Sequence, residues 1–175
     1  MNEMAQSSQF VFEGKVLAIE ARKGGNNRIY TYVTFAIQDI MKGQHIAKNI
    51  TLRFLGGTVG DLAMVISDME IPEKGEHGIY FVESLKRNQV NPLYGWQQGH
   101  FLVESDKITG AERVLTNDKQ PVTAILSSSS AAAIHGPADL STGVARGLAI
   151  GPKGTEGMTL GQFKKALHEH MTGSR

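Results

Sequence analysis

Alternation of apolar and polar residues is the main pattern along this chain, and it is clearest at residues 28–43. Apolar side chains such as Val33 and Phe35 recur there at every second position, and β-branched or aromatic residues crowd the same run. A period of two places successive side chains on opposite faces of a β-strand. The pattern therefore predicts one long central strand, which ends at the polar turn Lys42-Gly43.

Shorter runs of the same kind predict the other strands. The first covers residues 9–20, and Gly14 in its middle indicates a bulge or a bend. The glycine- and asparagine-rich residues 21–28 form a turn that pairs the first strand antiparallel with the central one. Further strands are predicted at residues 49–55, 78–85, 99–104, 112–117 and 122–126.

Five to six strands, a glycine bend in the first and a long hairpin predict a mainly β fold. A small antiparallel, OB-like β-barrel is the architecture of that size that fits best, and a β-sandwich is the alternative. The barrel domain is expected to cover residues 1–126.

The composition changes at residues 127–157, where serine, alanine and glycine dominate and the periodicity ends. Such a segment buries too little apolar surface to offset the entropy lost on ordering, which predicts a flexible connection. Residues 158–175 form a C-terminal amphipathic helix with Thr159 as N-cap and with Leu160, Phe163 and Leu167 on one face. That helix packs on its own barrel or on a neighbour's, so the C-terminal segment is a candidate route to a homo-oligomer.

Composition narrows the function classes. The chain has 175 residues and a net charge of +1, which gives no electrostatic support for binding nucleic acid or an anionic membrane. Cysteine is absent, which excludes disulfides, thiolate zinc sites and iron–sulfur clusters. No apolar run reaches the roughly 18 residues needed to cross a bilayer, and the first nine residues lack the pattern of a signal peptide.

The chain contains the motifs F-x-G-x-V at 12–16, I-Y-T-x-V-x-F at 29–35, K-G at 42–43, L-R-F-x-G-G at 52–57 and G-x-Y-F-V at 78–82. Together these motifs resemble uncharacterised domains of exported bacterial proteins. The order of elements is also remotely similar to netrin-like domains and tissue inhibitors of metalloproteases, which are OB-folds. The resemblance covers about residues 9–103 and implies an OB-like fold and a periplasmic or secreted location, with a cytoplasmic location left open. Those inhibitors chelate zinc through an N-terminal cysteine, which this chain lacks, so that mechanism is not carried over.

Catalytic and metal-binding motifs are weak. The six histidines show no metal-site spacing, so we predict neither a metal site nor a cofactor. The glycine-rich residues 56–61 and 151–155 lack the features of a phosphate loop and are interpreted as turns. Residues 127–130 together with His135 and Asp139 supply the residue types of a hydrolase triad, but a glycine-rich segment offers them no rigid scaffold.

The loop at residues 91–98 is the best candidate for a binding site. It places Trp96, the single tryptophan, beside Tyr94 and Gln97, and the basic Arg87 lies shortly before it. Aromatic and amide side chains on a loop suit contact with a protein, peptide or glycan. The alternative is that Trp96 closes one end of the barrel, because burial is the commoner fate of tryptophan.

These observations predict a non-enzymatic, exported binding module with a protein, peptide or glycan partner. The first alternative is a hydrolase, or a peptidase-associated accessory domain of one, that uses His100 or the serine-rich segment. The second is an OB-fold that binds single-stranded nucleic acid, against which the near-neutral charge and an aromatic content of 7% count.

Overall fold

A computed structural model of the protein describes residues 1–126 and 147–172. Within these ranges the chain is mainly β, with two α-helices and one short 3-10 helix at Trp96–Gly99. In chain order the elements are α1 (Asn2–Ser7), β1 (Phe10–Lys23), β2 (Ile29–Lys42), β3 (Asn49–Leu55), β4 (Gly57–Val59), β5 (Leu62–Met64), β6 (His77–Val82), β7 (His100–Ser105), β8 (Glu112–Thr116), β9 (Val122–Ile125), β10 (Leu148–Ile150) and α2 (Leu160–Thr172).

Six strands form one antiparallel sheet in the order β3-β2-β1-β6-β7-β8. The hairpins β4–β5 and β9–β10 make two small additional sheets. The predicted mainly β, antiparallel class with a C-terminal helix is therefore confirmed. In residues 1–126 and 147–172 the sheet has β3 and β8 at its two ends, and no strand pairing closes it into a barrel.

Strand β1 lies at the centre of the sheet and is irregular, as Gly14 indicates. Its pairing with β2 shifts register between Glu13 and Gly14. A Cβ atom at Gly14 would lie 2.8 Å from the carbonyl oxygen of Ala36, so only glycine allows this close approach of the two strands. Pairing of β1 with β6 ends at Lys15, which leaves the second half of β1 paired only with β2.

The two faces of the sheet carry separate hydrophobic cores, as the alternation along β1 requires. Phe10 and Phe12 lie in one core, together with apolar residues of β2, β3 and β6. Val11 lies in the other core, which α1 and α2 cover. Both faces of the sheet are therefore buried over β6 and over the first half of β1.

Helix α2 belongs to the second core. Thr159 is its N-cap: the amide of Gln162 donates to Thr159 Oγ1 over 3.2 Å, and the Gln162 side chain accepts from the Thr159 amide over 2.9 Å. This reciprocal pair is a capping box. Leu160, Phe163 and Leu167 are buried, as their shared helix face predicts.

Part of the segment for which a flexible connection is predicted contains regular secondary structure. Residues 127–146 lie outside the described residues, whereas β10 at Leu148–Ile150 pairs with β9. The chain between β10 and α2 then returns to the sheet, where the Met158 amide donates to the carbonyl of Val122 over 2.7 Å. In the described ranges, neither helix is long and apolar enough to cross a membrane.

Candidate functional site

The loop between β6 and β7 is anchored on both cores by consecutive residues. Leu93 is buried in the core that contains Phe12, and Tyr94 packs against the core that contains Phe81. The amide of Tyr94 donates to the carbonyl of Phe81 over 2.8 Å, and Leu93 forms an isolated bridge with Val82. The loop is therefore held rigidly against the sheet immediately before Trp96.

Trp96 has an unusual backbone conformation. Gly95 and Trp96 both lie in the left-handed region, with φ of 51° and 61°. That region suits glycine, but it costs a bulky residue on the order of 1–3 kcal/mol. Trp96 is only partly buried, and in the described part of the chain it neither forms nor packs against either hydrophobic core. The strained turn therefore holds an indole side chain that is not packed in either hydrophobic core.

The structure brings three of the four predicted contact residues together. Tyr94, Trp96 and Gln97 lie in one turn, and the Gln97 side chain donates to the carbonyl of Asp68 over 3.3 Å. Arg87 is exposed in a different turn, in which its backbone amide donates to Ser84 Oγ. Arg87 is thus separated from the aromatic turn along the loop.

A groove of about 500 Å³ lies next to the chain segment that Gln97 contacts. Asp68, whose carbonyl accepts from Gln97, lies two residues before Glu70, the first residue that lines the groove. The chain from Glu70 to His77 forms one wall of the groove. Four glutamates face two lysines in the lining, so the groove carries an excess of negative charge. The charged lining residues are Glu70, Glu73, Glu76 and Glu104, with Lys74 and Lys119.

A three-residue network lies in the wall of the groove. His100 Nε2 donates to Glu76 Oε1 over 2.6 Å, and the Tyr80 hydroxyl donates to the same oxygen over 2.8 Å. The Glu73 amide donates to the second oxygen, Glu76 Oε2, over 3.2 Å. Tyr80 and His100 are almost fully buried, and their rings stack at 5.2 Å between centroids.

The network keeps Glu76 ionised. Burial acts to raise the pKa of Glu76, but the hydrogen bond and electrostatic attraction from His100 and the hydrogen bond from Tyr80 outweigh it, and the pKa lies below its usual range. Burial, together with the neighbouring Glu76 carboxylate, raises the pKa of the Tyr80 hydroxyl, which stays protonated and donates. His100 must carry its proton on Nε2, because an ionised carboxylate only accepts.

A second polar network joins the sheet to α2. Glu13 is largely buried and contacts Lys164 of α2, while His77 Nε2 donates to Glu13 Oε1 over 2.8 Å. Lys164 Nζ also donates to Asp39 over 2.8 Å. Burial acts to raise the pKa of Glu13, but the bonds from His77 and Lys164 outweigh it and hold the pKa below its usual range.

Sequence reasoning missed both networks. Glu76 and His100 are 24 residues apart and Glu13 and His77 are 64 apart, so no local motif joins them. An acidic residue at an inward-facing strand position, as at Glu13, is the one signal in the sequence that a buried partner is present.

The remaining candidates for chemistry are dispersed. The glycine-rich residues at 56–61 form the hairpin of β4 and β5, and residues 152–155 form a turn closed by the Thr155 amide on the Pro152 carbonyl over 3.0 Å. The serine run at 127–130, His135 and Asp139 lie outside the described residues. Among those described, no group of three or more histidine, aspartate and glutamate side chains is arranged to hold a metal ion.

Comparison with other proteins adds no relative from which a role could be transferred. No family model matches the chain, and no curated protein or solved structure shows a significant similarity to it. The arrangement of the aromatic turn, the acidic groove and the two networks is therefore the basis for a functional assignment.

Proposed function

We propose that the protein is a non-enzymatic binding module that contacts its partner through Trp96 and the adjoining acidic groove. The left-handed turn at Gly95 and Trp96 is the main support for this proposal, because a strained backbone holds a partly exposed indole there. Strain at a rigid loop is kept where it positions a functional side chain. Tryptophan is also among the residues that contribute most to binding when a partner buries them.

The charge of the groove favours a basic partner. A cleft with excess negative charge attracts cations and raises their local concentration. We infer that the partner is a protein or peptide segment with a lysine or arginine side chain close to an apolar residue. The apolar residue covers Trp96, and the cation enters the groove beside Glu104.

A peptide array screened in parallel with a glycan array tests this proposal. The peptides that bind should be enriched in lysine and arginine, and their binding should weaken as salt is added. In calorimetric titrations of the best peptide, Trp96→Ala should weaken binding about thirtyfold or more, whereas Trp96→Phe should retain most of the affinity.

Charge variants provide the matched control. Glu104→Gln should reduce the salt dependence of binding, whereas Glu169→Gln, on an exposed position of α2, should leave it unchanged. Peptide binding that is insensitive to both Trp96→Ala and Glu104→Gln would contradict the proposal, and selective binding of glycans would contradict the basic peptide.

Hydrolysis is the second candidate, because His100 and Glu76 have the hydrogen-bonded geometry of a general base and its orienting carboxylate. Against it, His100 forms its side-chain hydrogen bond with Glu76 in the described part of the chain, and the hydroxyl that joins the pair, that of Tyr80, donates to Glu76 and not to His100. A panel of ester and peptide substrates tests this candidate. Turnover that is abolished in His100→Gln would support hydrolysis over simple binding.

We further infer an exported location and an OB-like closure of the sheet, for which the resemblance to domains of exported bacterial proteins is the support. Fractionation of cells that express the full gene product tests the location, and recovery in the cytoplasm alone would contradict it. A crystal structure with a strand that joins β3 to β8 would establish the barrel, and an open sheet would exclude it.

A further inference from the structure

The second half of β1 is an open edge of the main sheet. The pairing of β1 with β6 ends at Lys15, Leu17 lies in a bulge, and from Ala18 to Lys23 the strand pairs with β2 on one side. Most of these residues are exposed, including the apolar Leu17 and Ile19 at 44% and 40%. An exposed strand edge with unpaired amides and carbonyls is a template for another strand.

The direction of the backbone groups follows from the neighbouring strands. The carbonyl of Ile29 accepts a hydrogen bond from the Gly56 amide, so the backbone groups of Ile29 point towards β3 and away from β1. Ile29 and its partner Lys23 on β1 are therefore a pair without hydrogen bonds between them. Pairs with and without hydrogen bonds alternate in an antiparallel ladder. The amides and carbonyls of Ile19, Ala21 and Lys23 therefore point away from β2. In the described ranges, none of them takes part in a backbone hydrogen bond outside the strand ladders.

The charged side chains on this edge are complementary to those on the same edge of a second copy. Glu20 and Arg22 lie on the solvent-facing side of β1 and already form an ion pair of 2.6 Å within the chain. If two copies pair antiparallel about Ala21, Glu20 of each copy lies opposite Arg22 of the other. If the centre of the pairing moved by one residue, to Glu20 or to Arg22, Glu20 would lie opposite Glu20 or Arg22 opposite Arg22. Like charges directly opposite are destabilising, so the register about Ala21 is selected.

We propose that this edge is the contact between two copies of the chain, which form a symmetric dimer by antiparallel pairing of β1 with β1 about Ala21. The outward groups of Ile19, Ala21 and Lys23 then form about six hydrogen bonds between the copies. Ile19 of one copy packs on the aliphatic stem of Lys23 of the other. The two Glu20–Arg22 pairs form a patch of alternating charge, and the result is one continuous sheet across the dimer.

Sedimentation equilibrium of charge-reversal variants at low ionic strength tests the dimer. The wild-type protein should dimerise as its concentration rises to roughly 1 mM. Glu20→Arg and Arg22→Glu should each weaken dimerisation about thirtyfold, because two symmetry-related pairs change from attraction to repulsion. An equimolar mixture of the two variants should form a heterodimer, and the double variant should dimerise like the wild type.

Two further measurements separate this contact from other modes of association. Glu169→Arg changes the net charge by the same amount as Glu20→Arg on an exposed position of α2, and it should leave dimerisation unchanged. Hydrogen exchange should show that the amides of Ile19, Ala21 and Lys23 gain protection with concentration. A wild-type protein that stays monomeric, an association that both reversals leave intact, or a mixture that associates no better than each variant alone would overturn the proposal.

Discussion

Replacement of Phe163 by alanine tests whether α2 is part of the folded unit formed by the sheet. The Phe163 side chain is 0% exposed, and its ring lies 5.3 Å from that of Phe101 on β7. The substitution removes the largest side chain through which α2 contacts the sheet. Removing a buried phenylalanine costs about 3–5 kcal/mol, from the lost transfer of the ring out of water and from the cavity that it leaves.

The structure favours the upper part of that range. The walls around Phe163 include sheet residues such as Phe101 and Val114, which the strand ladders hold in place and which cannot easily move into the space. We therefore expect a loss of about 4 kcal/mol. For a protein of this size that loss lowers the melting temperature by on the order of 10 °C.

Urea denaturation followed by circular dichroism measures the loss, and Lys165→Ala provides the control because Lys165 is exposed on the same helix. The control should change the free energy of unfolding by less than about 0.5 kcal/mol. A loss below about 1 kcal/mol for Phe163→Ala would show that the sheet folds independently of α2.

Three further substitutions test the networks and the tight turn between β3 and β4. Glu13 has a folded-state pKa below its unfolded value, so its carboxylate stabilises the fold above pH 4.5 and loses that effect as the pH falls through the folded pKa. Glu13→Gln should therefore lower the free energy of unfolding at pH 7 and leave it nearly unchanged near pH 2. Urea titrations at both pH values measure the difference. Gly57→Ala should destabilise the protein by about 2 kcal/mol or more, because φ is +127° and the new Cβ would lie 2.3 Å from a threonine hydroxyl, whereas Gly25→Ala meets open space and should be neutral in thermal melts. Tyr80→Phe removes one donor from the Glu76 carboxylate and should cost about 1–3 kcal/mol, and NMR titration should show a higher pKa of Glu76.

The strands could be predicted because the period of two is a local property of the sequence. Alternation places the predicted central strand, residues 28–43, within one residue of β2 at each end, and the third strand at 49–55 coincides with β3. The start of α2 was equally predictable, since the Thr159 cap lies immediately before the first apolar residue of the helix. Both signals depend only on neighbouring residues.

Elements stabilised by distant partners could not be predicted in this way. Strand β10 has three residues in a glycine-rich region, and it exists because β9 provides the pairing. The Glu76–His100 and Glu13–His77 contacts require the pairing of β6 with both β7 and β1, which no short window of sequence encodes. The left-handed conformation of Trp96 is likewise a consequence of the anchored residues before it and not of its own preference.

The intrinsic fluorescence of Trp96 tests most directly whether this residue is a contact residue and not part of a core. Trp96 is the single tryptophan of the chain, so the emission reports on this side chain alone. The structure predicts an emission that the neutral quencher acrylamide quenches in the free protein, and protection from acrylamide when a basic peptide binds. A blue-shifted emission that acrylamide does not quench in the free protein, and that no bound peptide changes, would show that the indole is buried and would contradict the proposed binding site.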